Sequence, residues 1–294
     1  MRPALSTVFA ASTSTLQSPL AIVEVCARAE VSAVVLDGAL GPALFEPLVE
    51  ELARRGDELP ILVLEAPCGS ELRPGARQPA LAAHDRDEAR AALAAATATV
   101  RRAGELRAPF VVVRLGEVEP VAADWSFARD RFLRGALDDE LVQQLLSARD
   151  DAAERTLDGA RRALERLARE AERAGAMLLV RNGRRYLDVP SPRELDRLRA
   201  ELSGAPILPA GDVPAAHLQD VMGFAPLALT LSACADAPLW YWGDACGPVG
   251  ALAPGRGIVD LAAARASVAD GARLAFAAWP GLTPNEVVDA MSRF

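Results

Sequence analysis

The sequence contains no lysine, so all 32 of its basic residues are arginine. This absence excludes every chemistry that needs a lysine amine, such as Schiff-base aldol cleavage, pyridoxal phosphate attachment and a phosphate-loop lysine. Histidine is nearly as scarce, since only His84 and His217 occur. A metal site built from several histidines, or a proton relay that uses several of them, is therefore excluded as well.

Closely spaced cysteines and long apolar runs are also missing. The four cysteines are scattered, which predicts free thiols rather than disulfides or a zinc site. No apolar run reaches the roughly 18–20 residues that a membrane helix needs, and no signal-peptide pattern opens the chain. We therefore expect a cytoplasmic protein without a membrane partner. The net charge of −8 argues against a nucleic-acid partner.

Short apolar runs alternate with longer amphipathic stretches along the chain. The predicted strands are residues 5–11, 31–36, 61–64, 110–113, 177–180, the region of Ile207, 239–242 and 273–277. Eight strands that alternate with helices predict an α/β fold, a single (β/α)8 TIM barrel over residues 1–294. An open doubly wound sheet would carry glycines in its first strand–helix turn, and residues 11–14 contain none.

The connections between these strands predict helices of ordinary length. The predicted helices are residues 16–29, 42–55, 85–106, 152–174, 192–202, 259–269 and a last helix that starts at Thr283. Residues 217–234 are predicted to be helical or broken. Residues 117–151 combine Trp125, Phe127 and Phe132 with mixed charges, which predicts one or two short helices inserted after the fourth strand.

In a barrel of this kind, residues at the carboxyl ends of the strands meet at one mouth, whatever their separation in sequence. The predicted site consists of Asp37, Glu65, Arg114, Arg181, Asp212, Tyr241, Trp242, Asp244 and Trp279. Isolated buried charges are costly, so the acids and arginines of this set are expected to pair with each other or with a ligand. The structural alternative is that they form salt bridges that only close the top of the barrel.

One stretch carries a family resemblance. Residues 254–260 (PGRGIVD) resemble the PGxGxID loop of the xylose-isomerase-like barrels, which include sugar isomerases, sugar epimerases and the endonuclease IV group. Residues 241–244 (YWGD) lie where such proteins carry HxxD, and residues 178–182 (LLVRN) lie where they end an apolar run in Glu-Asn. The resemblance covers nearly the whole chain in element order and implies a TIM barrel that acts on a sugar.

The resemblance also implies a divalent metal (Mn, Zn or Mg), which family members bind through Glu, Asp, His and Glu at the ends of strands five to eight. The matching positions here are Arg181, Asp212, Tyr241 and Ala277. Only Asp212 is retained as a ligand type, with His217 as an alternative nearby, whereas a catalytic metal takes three or more protein ligands. We therefore expect no metal, and we expect Arg181 to pair with Asp212 and with Asp244 instead.

The first functional hypothesis is an isomerase or epimerase of a small polyhydroxy compound that works without the metal. In this hypothesis the proton is moved by one of three catalytic acids, namely Glu65, Asp212 or Asp244. The predicted substrate-binding residues are Arg114, Arg181, Tyr241, Trp242, Trp279 and Asp37. Among them, the two arginines would hold a carboxylate, phosphate or enediolate oxygen, and the two tryptophans would supply apolar platforms.

The second hypothesis is a barrel that has lost catalysis and binds a small molecule or a protein partner, which the missing metal ligands favour directly. The sequence leaves a homodimer open in either case. An endonuclease role is not favoured, because such members of the family need a cluster of three metals and many more histidines than two.

Overall fold

Eight parallel strands close into a barrel in the computed structural model. The described residues are 2–10, 18–69, 79–119, 123–247, 249–277 and 282–294. The barrel strands, named β1 to β8 in chain order, are Ala4–Ser6, Ala33–Leu36, Ile61–Glu65, Phe110–Val113, Met177–Arg181, Ile207–Asp212, Leu239–Tyr241 and Arg273–Phe276. Each strand pairs in parallel with the next, and β8 pairs with β1, so the predicted (β/α)8 fold is confirmed.

Helices occupy the connections between the strands. In the described part of the chain they are α1 (Pro19–Arg28), α2 (Pro42–Arg55), α3 (Arg86–Glu105), α4 (Trp125–Leu133), α5 (Asp139–Ala174), α6 (Pro192–Glu201), α7 (Val213–Val221), α8 (Leu227–Ala233), α9 (Leu261–Ala266) and α10 (Pro284–Met291). Thr283 caps α10 and exchanges hydrogen bonds with Glu286, as its sequence position predicts. No helix among the described residues is long and apolar enough to cross a bilayer.

The boundary predicted at residue 152 is wrong, because α5 begins at Asp139 and runs for 36 residues. The interruption in its apolar stripe is Arg149, which is only 2% exposed. Its Nε donates to the Tyr186 carbonyl at 3.0 Å, and its Nη2 donates to Glu194 Oε2 at 2.6 Å. Because this charged residue stands at a buried position of the helix, it interrupts the apolar pattern by which the helix start would be recognised in the sequence. Residues 117–151 contain α4 and the first turns of α5.

The core has two main layers. Side chains that alternate along the strands fill the inside of the barrel, for example Val35, Val112 and Leu179. A larger layer lies between the strands and the helices, and it includes Trp240 and Trp242. Because the strands are buried on both faces, they appear in the sequence as continuous apolar runs.

Two short antiparallel ribbons lie beyond the ends of the strands. Gly116–Glu117 pairs with Asp188–Val189, and Asp244–Cys246 pairs with Val249–Leu252. Because the ribbons follow β4, β5 and β7, they place their loops on the mouth side of the barrel. The mouth is therefore walled by ribbon and loop residues as well as by the strand ends.

Candidate functional site

Arg181, the last residue of β5, lies at the floor of the mouth. Its Nε donates to Asp212 Oδ2 at 2.8 Å, and its Nη2 donates to the same oxygen. Its Nη1 lies 3.4 Å from Glu65 Oε2, and its Cζ lies 3.6 Å from the centroid of the Tyr241 ring. The predicted pair with Asp212 is confirmed. The second carboxylate is that of Glu65 and not that of Asp244, so that part of the prediction is wrong.

The charge of Arg181 is permanent in this setting. Burial by itself lowers the pKa of an arginine, because it penalises the charged form. The negative charges of Asp212 and Glu65 outweigh this effect and raise the pKa of Arg181 above its ordinary value. A fixed cation therefore stands at the floor of the mouth at every physiological pH.

Glu65, at the end of β3, joins Tyr241 to the arginines. The Tyr241 hydroxyl donates to Glu65 Oε1 at 2.6 Å. Burial, followed by the negative charge of Glu65, raises the pKa of Tyr241 well above its usual value, so the hydroxyl stays protonated at neutral pH. Arg114 Nη2 lies 3.6 Å from the other carboxylate oxygen, although the Arg114 side chain is 61% exposed. Glu65 is thus the carboxylate that three site residues share.

Both carboxylate oxygens of Asp212 accept hydrogen bonds from the protein. Its Oδ1 accepts from the backbone N–H of Ala215, which caps the first turn of α7, while its Oδ2 accepts from Arg181. Its own N–H donates to the Asn182 side chain at 2.6 Å. Both carboxylate oxygens therefore have donors, and Asp212 fixes the position of Arg181.

Asp244 lies just beyond β7 but faces away from Arg181. Its Oδ1 accepts from the N–H groups of Ala245 and Val259, and its Oδ2 accepts from those of Gly255 and Gly257. A Cβ on Gly257 would lie 2.2 Å from the Ala245 carbonyl oxygen, so only glycine fits at this position of the loop. Asp244 is 2% exposed and holds the loop of residues 254–257 in place.

Trp242, one of the two tryptophans predicted as platforms, is not among the residues that line the cavity at this mouth. Trp242 is 7% exposed and packs in the layer between strands and helices. Trp240 packs against Gly211 on β6, where a Cβ would lie 2.2 Å from its ring. Trp279 lies outside the described residues. Among the residues that the structure describes, Tyr241 supplies the aromatic ring at the cavity.

Asp37 lies directly after β2 and is buried. Its Oδ1 accepts from the N–H of Ala39 at 2.8 Å, and its own N–H donates to Thr7 Oγ1 at 3.0 Å. Burial, followed by the negative charge of Glu65, raises the pKa of Asp37 from 3.8 to about 6. Asp37 therefore changes charge in a range where an ordinary aspartate is already ionised.

Replacing this aspartate by asparagine should stabilise the protein at neutral pH. The folded pKa of Asp37 lies above the unfolded value, so its contribution to stability falls as the pH rises from about 4 through 6. We expect Asp37→Asn to raise the free energy of unfolding by about 2–3 kcal/mol at pH 7 and to leave it nearly unchanged at pH 4. Urea denaturation at both pH values measures this difference. An equal change at pH 4 and pH 7 would contradict it.

A cavity of about 620 Å³ opens at this mouth. Its floor carries Arg181, Asp212 and Tyr241. One wall is apolar and is formed by the α3 residues Ala91, Ala92, Ala95 and Ala96. The rim carries Arg114 and a second arginine, Arg184, which the sequence did not single out. The volume and the mixture of apolar wall and few polar groups are typical of a small-molecule site.

The mouth residues that the structure describes do not fit a divalent metal. In the described ranges, no group of three or more His, Cys, Asp or Glu side chains is placed to hold one. The carboxylates of Glu65 and Asp212 are already joined by the guanidinium of Arg181, whose charge repels a cation. His217, the alternative ligand, is a buried residue of α7 that does not line the cavity.

Several solved structures share this fold. A candidate xylose isomerase from Rhodospirillum rubrum superimposes with a TM-score of 0.72 at 16% identity, over 100% of this chain and 98% of that chain. The 3-keto-D-glucoside 4-epimerase of E. coli gives 0.67 at 14% identity, over 99% and 98%. The IolI protein, solved with a zinc atom, gives 0.65 at 13% identity, over 100% and 96%.

This chain therefore has the fold of the xylose-isomerase-like TIM barrels, and the resemblance noted in its PGRG loop is confirmed at that level. Comparison of the sequence with protein-family models and with curated proteins finds no match. At these identities the likeness concerns the fold, and the chemistry has to be argued from the site.

Proposed function

We propose that this chain is an isomerase- or epimerase-like barrel that acts on a small polyhydroxy compound without a divalent metal. The observation that carries the proposal is the position of Arg181 between the carboxylates of Glu65 and Asp212 and over the ring of Tyr241. A fixed cation at the floor of the cavity supplies positive charge where the related chemistry uses a metal ion.

Sugar isomerisation and epimerisation at a carbon next to a carbonyl share one difficulty, which is the negative charge that develops on the carbonyl oxygen. A preorganised donor aimed at that oxygen stabilises the charge in a site from which water is excluded. The guanidinium of Arg181 is preorganised, because Asp212 and the Tyr241 ring fix its plane. It is the group that we assign to this oxygen.

Proton transfer falls to Glu65 and Tyr241. Glu65 is 4% exposed and reaches the cavity through the Tyr241 hydroxyl, which lines it. We assign a relay in which Tyr241 Oη accepts the proton of the substrate carbon while its own proton moves to Glu65 Oε1. An isomerisation is completed when the relay returns a proton to the neighbouring carbon, which had carried the carbonyl, while the hydroxyl proton passes from one substrate oxygen to the other. A concerted relay avoids a free phenolate, which the raised pKa of Tyr241 disfavours. Asp212 and Asp244 then act as supports for Arg181 and for the loop.

A panel of aldoses and ketoses, assayed after exhaustive treatment with a chelator, tests this function. We expect one compound to raise the melting temperature and to be converted at the same rate before and after chelation. Tyr241→Phe should reduce turnover by about 10²- to 10⁴-fold and keep the thermal shift, because it removes the relay proton but not the cavity. One equivalent of Mn, Zn or Mg in elemental analysis, with turnover lost on its removal, would overturn the proposal.

A binding protein without catalysis is the second candidate. The observation that favours it is that the oxygens of Asp212 and Asp244 are all occupied by donors of the protein itself. Stabilisation by one member of the same panel without any conversion of it would favour this candidate. A protein partner instead of a small molecule would give neither result.

A further inference from the structure

The arginines around the cavity differ in how their charges are balanced. Arg181 has two carboxylate partners, as described above. Arg185 pairs with Glu117 and with Asp188. The charges of these two arginines are thus balanced by carboxylates of the protein itself.

Arg114 and Arg184 are different. In the described ranges, the structure gives the Arg184 side chain no hydrogen bond and no ion pair, although it lines the cavity. The partner of Arg114 is Glu65 at 3.6 Å, beyond ordinary hydrogen-bond distance, and that carboxylate is shared with Arg181 and Tyr241. Two guanidinium groups with unsatisfied donors therefore face one cavity.

The backbone around Arg184 is held in place. The N–H groups of Arg184 and Arg185 both donate to Asp188 Oδ2, at 2.8 and 2.9 Å. The Arg184 Nη2 lies beside Gly250 of the second ribbon, where an added Cβ would be 3.5 Å away. A fixed turn thus places the backbone of Arg184 at the cavity that its side chain lines.

Arg184 stands in a field of mixed charges. Burial lowers its pKa, the negative charge of Asp212 acts against this effect, and the positive charges of Arg181 and Arg114 lower the pKa further. An anion placed between the arginines would relieve this repulsion. Guanidinium groups bind carboxylate and phosphate with paired, charge-assisted hydrogen bonds, which suits a small oxyanion.

We propose that Arg114 and Arg184 form an anion subsite at the rim of the cavity, so that the ligand is a polyhydroxy compound that carries a carboxylate or a phosphate group. The inference rests on the proposed function and narrows its substrate class. The anion lies at the rim, and the polyhydroxy part reaches the floor with Arg181 and Tyr241.

The test is calorimetric titration with matched probes, namely five- and six-carbon aldoses, their aldonates and their terminal phosphates, together with inorganic phosphate. We expect the aldonates or the phosphates to bind more tightly than the neutral sugars, and the anionic series that binds distinguishes the two sources of charge. Arg184→Gln and Arg114→Gln should each weaken this binding by about 10- to 100-fold. Arg166→Gln, an exposed arginine of α5 away from the cavity, should leave it unchanged.

The remaining outcomes separate the anion subsite from the proposed function. If neutral sugars bind as tightly as their anionic forms and Arg184→Gln changes neither, the anion subsite is overturned and the proposed function stands. If inorganic phosphate binds in an Arg184-dependent manner but no polyhydroxy probe binds more tightly, the subsite stands and the proposed function fails. If no probe binds, both are overturned.

Discussion

Arg181→Met is expected to lower the free energy of unfolding at pH 7 by about 3–5 kcal/mol, as is typical when one partner of a buried ion pair is removed. The variant leaves the carboxylates of Glu65 and Asp212 buried without a counter-charge, at 4% and 7% exposure. Urea denaturation measures the loss. The control is Arg166→Met on the exposed face of α5, which should change the value by less than about 0.5 kcal/mol.

Two further substitutions identify the cause of the loss in Arg181→Met. Adding Glu65→Gln and Asp212→Asn to the same variant should restore much of the stability at pH 7, because the groups left without a counter-charge are then neutral. A triple variant that is no more stable than Arg181→Met would show that packing, rather than charge, is responsible.

Asp244→Ala is expected to lower the free energy of unfolding by about 3–5 kcal/mol, because four backbone N–H groups lose a charged acceptor that is itself buried. Asp260→Ala is the matched control, since Asp260 accepts one N–H, that of Ala263, at an exposed helix start. It should cost about 1 kcal/mol. Asp244→Asn keeps only one acceptor oxygen and should fall between the two.

Chemical denaturation of the three variants, compared at equal pH, measures this order. A cost for Asp244→Ala no larger than that for Asp260→Ala would mean that the loop of residues 254–257 does not depend on this carboxylate. It would also reopen a role for Asp244 in proton transfer.

The barrel was predictable because its strands are buried on both faces. Phe110–Val113 and Leu239–Tyr241, for example, are continuous apolar runs with no competing helical period. Helix ends were predictable where a residue with one conformational preference marks them, as Gly175 does with its left-handed φ of 67°. The start of α5 was missed, because the buried pair of Arg149 with Glu194 joins residues 45 apart in sequence.

The site was predictable to the extent that the fold brings strand ends together. The pairing of Arg181 with Asp212 follows from their positions at the ends of two adjacent strands. The hydrogen-bond partners of the Asp244 carboxylate were not predictable, because they include loop N–H groups that come 11 and 13 residues later in the chain. The signal for Arg184 was the run RNGRR at residues 181–185, with three arginines and no acid directly after a strand.

The cluster of Arg181, Glu65, Asp212 and Tyr241 at the cavity floor bears on the order in which the chain folds. Arg181 and Glu65 are 116 residues apart, and Glu65 and Tyr241 are 176 apart. Together with Asp212, these residues belong to four different strands. Since such distant contacts are gained only after the cost of closing long loops, no single hairpin or helix can assemble the cluster early. The ion pairs at the mouth are therefore complete only when these four strands lie in one curved sheet.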